Sequence, residues 1–307
     1  MFVRRTEDYV VNALKRFLER NRGQITALTG AGVSTDSGIP DYRGPQGTYV
    51  VSGNYRPILF QEFIQAHQTR QRYWARSYLG YTPLRQAKPN TTHRALASLE
   101  GHEFVRQVIT QNVDSLHQAA GSQQVLELHG TLATIACQHC QHQLDRTVWQ
   151  GLLSEQNPDW YQVLQTYTAS GKQLKLNPDG DVDLPHGMPL HYLDFQYPGC
   201  LACNSGFYKP SVVFFGENIP TAQKALAITA VTQSPGALWV MGSSLATYSA
   251  FGLVKRAHDA GHPILIINHG PTRADDLPGV LKLSCYTRDV VPQVLHELRL
   301  TAPPITP

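Results

Sequence analysis

The chain has little net charge, few cysteines and no long apolar run, and each scarcity narrows what it can be. No hydrophobic stretch approaches the roughly 18 to 20 residues that span a bilayer, and Met1 to Arg5 is not followed by a signal-peptide core. The sequence therefore predicts a soluble protein with no membrane partner. A formal charge of +3 over 307 residues is too small for a dedicated nucleic-acid binder, whose basic residues dominate its surface. Hydrophobic residues at 42%, charged residues at 16% and the lack of any low-complexity tract point to a folded globular chain, either one large domain or one domain with a smaller insert. Arg4, Arg5, Lys15 and Arg16 hint at a transit peptide, but Glu7, Asp8 and Glu19 are acidic where such peptides avoid acid. Tyr9 to Phe17 reads better as a first helix with one apolar face.

Of five cysteines, four fall as Cys137-Gln-His-Cys140 and Cys200-Leu-Ala-Cys203, leaving Cys285 alone. Two Cys-x-x-Cys pairs supply the four thiolates of a closed tetrahedral zinc shell and favour a reducing, intracellular compartment over disulfides. The 59 residues between the pairs exceed the ordinary gap, and four unconnected reduced thiols are the plain alternative.

Four apolar runs end in small or amide residues: Ile25 to Leu28, Phe104 to Ile109, Ala237 to Met241 and Ile264 to Ile267. Short Val- and Ile-rich runs without alternation suit strands buried on both faces, and helical patterns at Thr91 to Leu99, Gln223 to Val231 and Ala250 to Ala260 separate them. The order predicts a parallel α/β sheet, with ligands outside the carboxyl ends of the strands. Pro158, Pro178, Pro185, Pro189 and Pro198 argue against long regular elements between residues 137 and 207, which also hold both cysteine pairs. That stretch is a candidate inserted module. Ile39 to about Leu59 reads as a functional loop, rich in Gly and Pro and including Gly53, and Gln61 to Tyr78 as a helix layered over it.

Gly30-Ala31-Gly32 follows a strand and is expected to open a helix whose N-terminus could meet a pyrophosphate; an unliganded tight turn would use the same glycines. In the loop beyond it, Arg43 could pair with phosphate and Asp41 could hold that arginine or accept from a ligand, whereas a solvated turn needs neither. Gln111, Asn112 and Asp114 end a strand and precede an expected helix containing Leu116 and His117. Their side chains could bond a carboxamide or ribose, or could simply cap the helix. His129, one of thirteen histidines, could take a proton from a sugar hydroxyl.

Taken together these segments resemble the sirtuin family. The matching words are Gly30-Ala31-Gly32-Val33-Ser34 through Ser37-Gly38-Ile39-Pro40-Asp41-Tyr42-Arg43, Thr110-Gln111-Asn112-Val113-Asp114, His129-Gly130, both cysteine pairs, Lys209-Pro210-Ser211-Val212-Val213-Phe214-Phe215-Gly216-Glu217, Gly242-Ser243-Ser244-Leu245 and Ile267-Asn268, in the family's order. Arg70 to Arg76, the insert with Pro178 to Val182 and Gly270 to Leu277 resemble the class II branch, which includes a mitochondrial sirtuin. Ser211 and Ser243 depart mildly from the family's usual residues. The resemblance implies a Rossmann-like parallel sheet with helices on both faces (1–53, 88–136 and 208–307), a small helical layer (54–87) and a small inserted zinc-binding module (137–207).

It also implies an NAD-dependent protein-lysine deacylase, with zinc held by Cys137, Cys140, Cys200 and Cys203. Gly30, Ala31, Gly32, Asp41, Arg43 and Tyr49 would contact NAD, Gln111, Asn112 and Asp114 would surround the nicotinamide and its ribose, and Gly242, Ser243, Ser244, Asn268, Gly270 and Thr287 would take the phosphates and adenosine. His129 matches the catalytic histidine, with Asn112 beside it in the catalytic set. Val213, Phe214, Gly216 and Glu217 match the segment that pairs with an acyl-lysine peptide. Tyr73 and Arg76, three positions apart, resemble a pair that grips an acidic acyl chain, while the plain reading puts Tyr73 in the core and Arg76 on a solvated helix face. Mono-ADP-ribosyl transfer is the rival activity, and an NAD-sensing or partner-binding module without turnover the rival class. The compartment follows the host, cytoplasm in a bacterium or mitochondrial matrix in a eukaryote, and the oligomeric state is left open.

Overall fold

A computed structural model describes residues 7–51 and 55–301, so the readings placed on Met1 to Arg5 and on Gly53 lie outside the described residues. In chain order the strands are β1 (Ile25–Thr29), β2 (Val105–Thr110), β3 (Val125–Glu127), β4 (Gly130–Cys137), β5 (Gln143–Asp145), β6 (Tyr208–Val212), β7 (Ala237–Met241), β8 (Ile264–Ile267) and β9 (Leu281–Leu283). The chain divides into two compact units, one of residues 7–51, 88–128 and 219–301, the other of residues 55–87 and 129–218.

The first unit is built on a six-stranded sheet of order β3-β2-β1-β7-β8-β9, every pair parallel. Alternation of side chains sends Ile25, Ala27, Trp239, Met241, Leu265 and Ile267 to one apolar cluster and Leu28, Leu238, Val240, Ile264 and Ile266 to another. Helices Glu7–Arg20, Thr91–Gly101 and Thr287–Glu297 cover the first face, and Thr221–Thr232 and Tyr248–Asp259 cover the second. This is the expected α/β sheet with helices on both faces. The sequence reading missed β3 and β9, three-residue strands too short to show a pattern. Strand order reverses between β1 and β7, so the chain leaves their carboxyl ends in opposite directions and opens a crevice there.

The second unit holds a three-stranded antiparallel sheet, β5-β4-β6. Gly130 enters β4 at φ +77, and a Cβ there would lie 1.9 Å from the Ser211 carbonyl oxygen. Because β4 pairs with β6, residues 129–136 and 208–218 join the stretch between them and not the parallel sheet, so the division falls after Leu128 and Asn218 instead of at 137 and 207. The single helix expected from Gln61 to Tyr78 is two, Phe60–Gln65 and His67–Gln86, separated by an extended Ala66. The insert was expected to lack long elements, yet it contains helices Arg146–Gln156 and Pro158–Ala169. Pro158 opens the second of these, where a missing N–H costs nothing. Aromatic rings pack the unit: Trp149 lies 5.1 Å from both Trp74 and Tyr208, and Phe63 lies 5.3 Å from Tyr73 and 5.2 Å from Phe214.

Candidate functional site

In the first unit the loops after β1, β2, β7 and β8 meet at the strand-order reversal. Gly30 N donates to Met241 O at 3.1 Å and Gly32 N to Gly242 O at 2.9 Å. A Cβ on Gly30 would lie 2.8 Å from Ser243 Cβ, and one on Gly32 would lie 2.9 Å from Gly242 Cα. The glycines therefore let two backbone loops touch, a need that stands whether or not the same loop also meets a pyrophosphate. The expected helix after Gly32 is absent: two 3₁₀ turns, Ala31–Val33 and Thr35–Ser37, take its place, so no α-helix dipole points into the crevice from this loop.

Gln111 and Asn112 follow β2. Gln111 Nε2 donates to Thr29 O at 3.1 Å and to Ser243 Oγ at 2.8 Å, tying the ends of β1, β2 and β7 together. Asn112 Nδ2 donates to Gly30 O at 3.2 Å and to Ser34 Oγ at 3.0 Å, and Ser34 Oγ donates to Asp114 Oδ2 at 2.7 Å. Asp114 Oδ1 also accepts from Leu116 N at 3.0 Å, so Asp114 caps the following helix, a four-residue turn, while Asn112 does not. Burial raises the Asp114 carboxyl above its usual value despite these bonds. Ser34 is a connecting residue that chemistry alone did not single out; its signal was its place inside the glycine-loop motif.

The loop acid and base do not pair as the sequence suggested. Asp41 Oδ1 accepts from Gly44 N at 3.0 Å, burial raises its carboxyl, and the Arg43 guanidinium lies 5.2 Å over the Tyr49 ring. Cβ atoms on Gly44 and Gly47 would meet Asp41 carboxylate oxygens at 2.2 and 2.6 Å, so those glycines shape a pocket for this one side chain. Asn268 Nδ2 donates to Gly270 O at 2.9 Å, Ser243 Oγ accepts from Leu245 N at 3.1 Å, Arg273 N donates to Ser244 O at 3.0 Å, and buried Thr287 accepts from Thr92 Oγ1 at 3.3 Å.

In the second unit, His129 O accepts from Val213 N at 2.8 Å, which sets the segment after β6 beside the histidine. That segment is not a continued strand. Gly216 has φ +83, Glu217 N donates to Phe214 O at 3.0 Å, and Glu217 Oε2 accepts from Phe214 N at 2.8 Å and from Lys209 Nζ at 3.1 Å. Phe60 N donates to Phe215 O at 2.9 Å.

Tyr73 is buried against Phe63, Trp74 and Phe214. Arg76 is 2% exposed, so it is not on a solvated face, and its guanidinium already has carboxylate partners. Nη2 donates to Asp181 Oδ1 at 3.0 Å, Nε makes a close ion contact with Oδ2 at 2.7 Å off the hydrogen-bond line, and Asp183 lies 3.5 Å away. Burial opposes the Arg76 charge, but Asp181, Asp183 and Asp179 outweigh it and hold the group charged. Asn177 Nδ2 donates to Asp181 Oδ1 at 2.9 Å and Val182 N to Arg76 O at 3.1 Å, fastening this loop to the helix.

The four cysteine sulfurs lie within 4.8 Å of one another, with Cys137 to Cys203 at 3.8 Å and Cys140 to Cys200 at 3.6 Å. A tetrahedral shell with Zn–S bonds of about 2.3 Å has sulfur edges of about 3.8 Å, so the donor set fits zinc. Backbone N–H groups of His139 and Ala202 point at Cys137 and Cys200 sulfur at 3.3 and 3.4 Å, as thiolates require, and a Cβ on Gly206 would meet Cys137 Sγ at 2.4 Å.

A parallel sheet with a glycine-lined reversal point, in a chain that also carries four clustered cysteines fit for zinc, is the frame of an α/β ligand-binding protein with a structural metal. Residues 30–249 match the model of the Sir2 family, and the chain belongs to that family. It is 46% identical over 267 residues to the NAD-dependent protein deacylase SIR4 of Batrachochytrium dendrobatidis, covering 85% of this chain and 86% of the relative. It is likewise 46% identical over 265 residues to an NAD-dependent protein deacetylase of Xanthomonas campestris pv. campestris, covering 86% and 84%. Among solved structures, a Sir2 complex with p53 peptide and NAD+ matches with a TM-score of 0.66 and 29% identity over 92% of this chain and 97% of the other. Among the described residues no helix is long and apolar enough to cross a membrane.

Proposed function

We propose that the chain removes acyl groups from protein lysine with NAD as co-substrate, releasing nicotinamide and passing the acyl group to ADP-ribose. The observation that carries this reading is the cluster at the strand-order reversal, where Asn112, Ser34 and Asp114 form one hydrogen-bonded set and Gln111 bonds Ser243 beside it, beneath loops that only glycine can build. Both hydrogens of Asn112 Nδ2 are used inside the protein, so Oδ1 is the acceptor it offers to a ribose hydroxyl. Gln111 and Asp114 complete the nicotinamide end; Gly30, Ala31, Gly32, Asp41, Arg43 and Tyr49 line the cofactor loop; Gly242, Ser243, Ser244, Asn268, Gly270 and Thr287 take the phosphates and adenosine. By the family resemblance His129 is the general base for the ribose hydroxyl, and Val213, Phe214, Gly216 and Glu217 pair with the peptide. The zinc knuckle fixes that unit and takes no part in the chemistry, since a closed thiolate shell has no open position.

On the acyl side, Tyr73 and Arg76 act in a restricted form. An acidic acyl group has to replace Asp181 at Arg76, so neutral chains are removed faster than acidic chains of equal length. The test of the activity is incubation with NAD and an acetyl-lysine peptide, read for nicotinamide and O-acetyl-ADP-ribose in equal amounts. Transfer of ADP-ribose to a protein acceptor with the acetyl group left in place would replace this reading with mono-ADP-ribosyl transfer.

A further inference from the structure

Beneath Asn112 lies a buried set of side chains that this chemistry does not use. Thr29 and Thr110 end neighbouring strands in register, and Thr29 Oγ1 donates to Thr110 Oγ1 at 2.9 Å. Thr110 Oγ1 also accepts from the backbone N of Asn112 at 3.1 Å. At the other end of this chain of bonds, His117 Nε2 lies 2.9 Å from Thr29 Oγ1. Since the Thr29 proton is used by Thr110, Nε2 carries the ring hydrogen and donates to Thr29. His117 Nδ1 is then a bare lone pair, buried and without a partner, which costs less than a buried orphan N–H would. His117, Thr29 and Thr110 are at most 3% exposed. The His93 ring lies against His117, with centroids 4.8 Å apart. Burial pushes His117 down to about 4 and His93 well below its usual value, so both rings are neutral near pH 7.

An apolar side chain would fill this space without leaving a lone pair unmatched, so a purely packing role does not account for an imidazole here. What the imidazole adds is direction, a donor that orients the Thr29 hydroxyl, which orients Thr110, which receives Asn112. We propose that His117 is a positioning residue for Asn112, acting through the Thr29 and Thr110 hydroxyls to set the pocket for the nicotinamide end of NAD. This rests on the assignment of Asn112 to that end of the co-substrate.

The test compares wild type with His117→Leu, His117→Gln and Thr29→Val in the acetyl-peptide assay, using NAD, free nicotinamide as inhibitor and ADP as a competitor that lacks both the nicotinamide ring and the ribose it is bonded to. Loss of one buried, directed bond corresponds to about tenfold, so His117→Leu and Thr29→Val should each raise the KM for NAD and the nicotinamide inhibition constant by about that factor. The ADP constant should stay within about twofold. His117→Gln, whose amide N–H can reach the Nε2 position, should recover most of the loss, and the Leu and Val changes combined should not add. Thr29→Val keeps the inference testable if His117→Leu does not fold. Equal movement of the ADP and nicotinamide constants, or a normal Thr29→Val, would overturn it. Absence of nicotinamide release by the wild type would instead overturn the parent deacylase reading.

Discussion

At the strand ends of the first unit, Thr29, Thr110, Ser34, Asn112 and His117 are held in place as neutral groups that share hydrogen bonds. In the second unit Arg76 and Lys209 are buried as cations against Asp181 and Glu217, and four thiolates gather around one point. Both solutions satisfy buried polarity, but they fail differently. A neutral network loses geometry when a member is removed, and the fold survives on the apolar clusters around it. A buried ion pair or metal shell that loses a partner leaves an uncompensated charge, and the unit itself is at risk. The first unit therefore spends polarity on a site, and the second spends it on holding together.

The largest effect that would test this contrast is removal of the metal. Structural zinc contributes on the order of 10 kcal/mol to folding in small modules, so Cys137→Ala should lose zinc by metal analysis and should lose the helical and aromatic signals of the second unit in circular dichroism. Full zinc content with unchanged stability would refute the shared shell. Next, His129→Ala should lower turnover by about 10² to 10⁴ while NAD still binds in calorimetry; near-normal deacylation would show that another group is the base.

Arg76→Met should destabilise by about 3–5 kcal/mol in denaturant unfolding, because Asp181 would be left buried alone. Asp181→Asn should leave the guanidinium open and narrow the gap in rate between neutral and acidic acyl peptides, and an unchanged ratio would separate Arg76 from acyl choice. The smallest effect belongs to the neutral network. His117 titrates near 4 in the folded protein against an ordinary 6.5, so the unfolded chain binds more protons in that range. Stability from this group is complete above about pH 6.5 and drains as pH falls toward about 4, by roughly 3 kcal/mol in all. His117→Gln should flatten that slope in melting experiments between those limits, and a slope equal to the wild type's would place the titration elsewhere.

Local signals made the first unit readable. Ile25 to Thr29, Ala237 to Met241 and Ile264 to Ile267 are buried strands that announce themselves by composition, and the glycine and amide residues at their ends lie where a parallel sheet puts ligands. The cysteine pairs were equally legible, because metal geometry is written in spacing. What the sequence withheld was long-range. Arg76 and Asp181 are 105 positions apart, so nothing near Arg76 indicated that its charge was already taken. The packing of Gly30 and Gly32 against Gly242 and Ser243 is likewise invisible until β1 and β7 are paired. His117 sat within a helical pattern, and only its bond to Thr29 across the fold gives it a role.

The interleaving of the two units also sets an order of events during synthesis. The first unit is assembled from three stretches and the second from two, each interrupted by the other. Strand β1 is made early, but its partner β7 emerges more than 200 residues later, and a chain growing from its N-terminus meets the pairing cost of a long open loop throughout that time. Residues 129–218 leave the ribosome before β7 does, so the zinc-bearing unit has all its strands and ligands in hand while the parallel sheet still has an open edge at β1. Over that interval the uncovered apolar edge is an aggregation hazard for the nascent chain, whatever the state of the zinc-bearing unit.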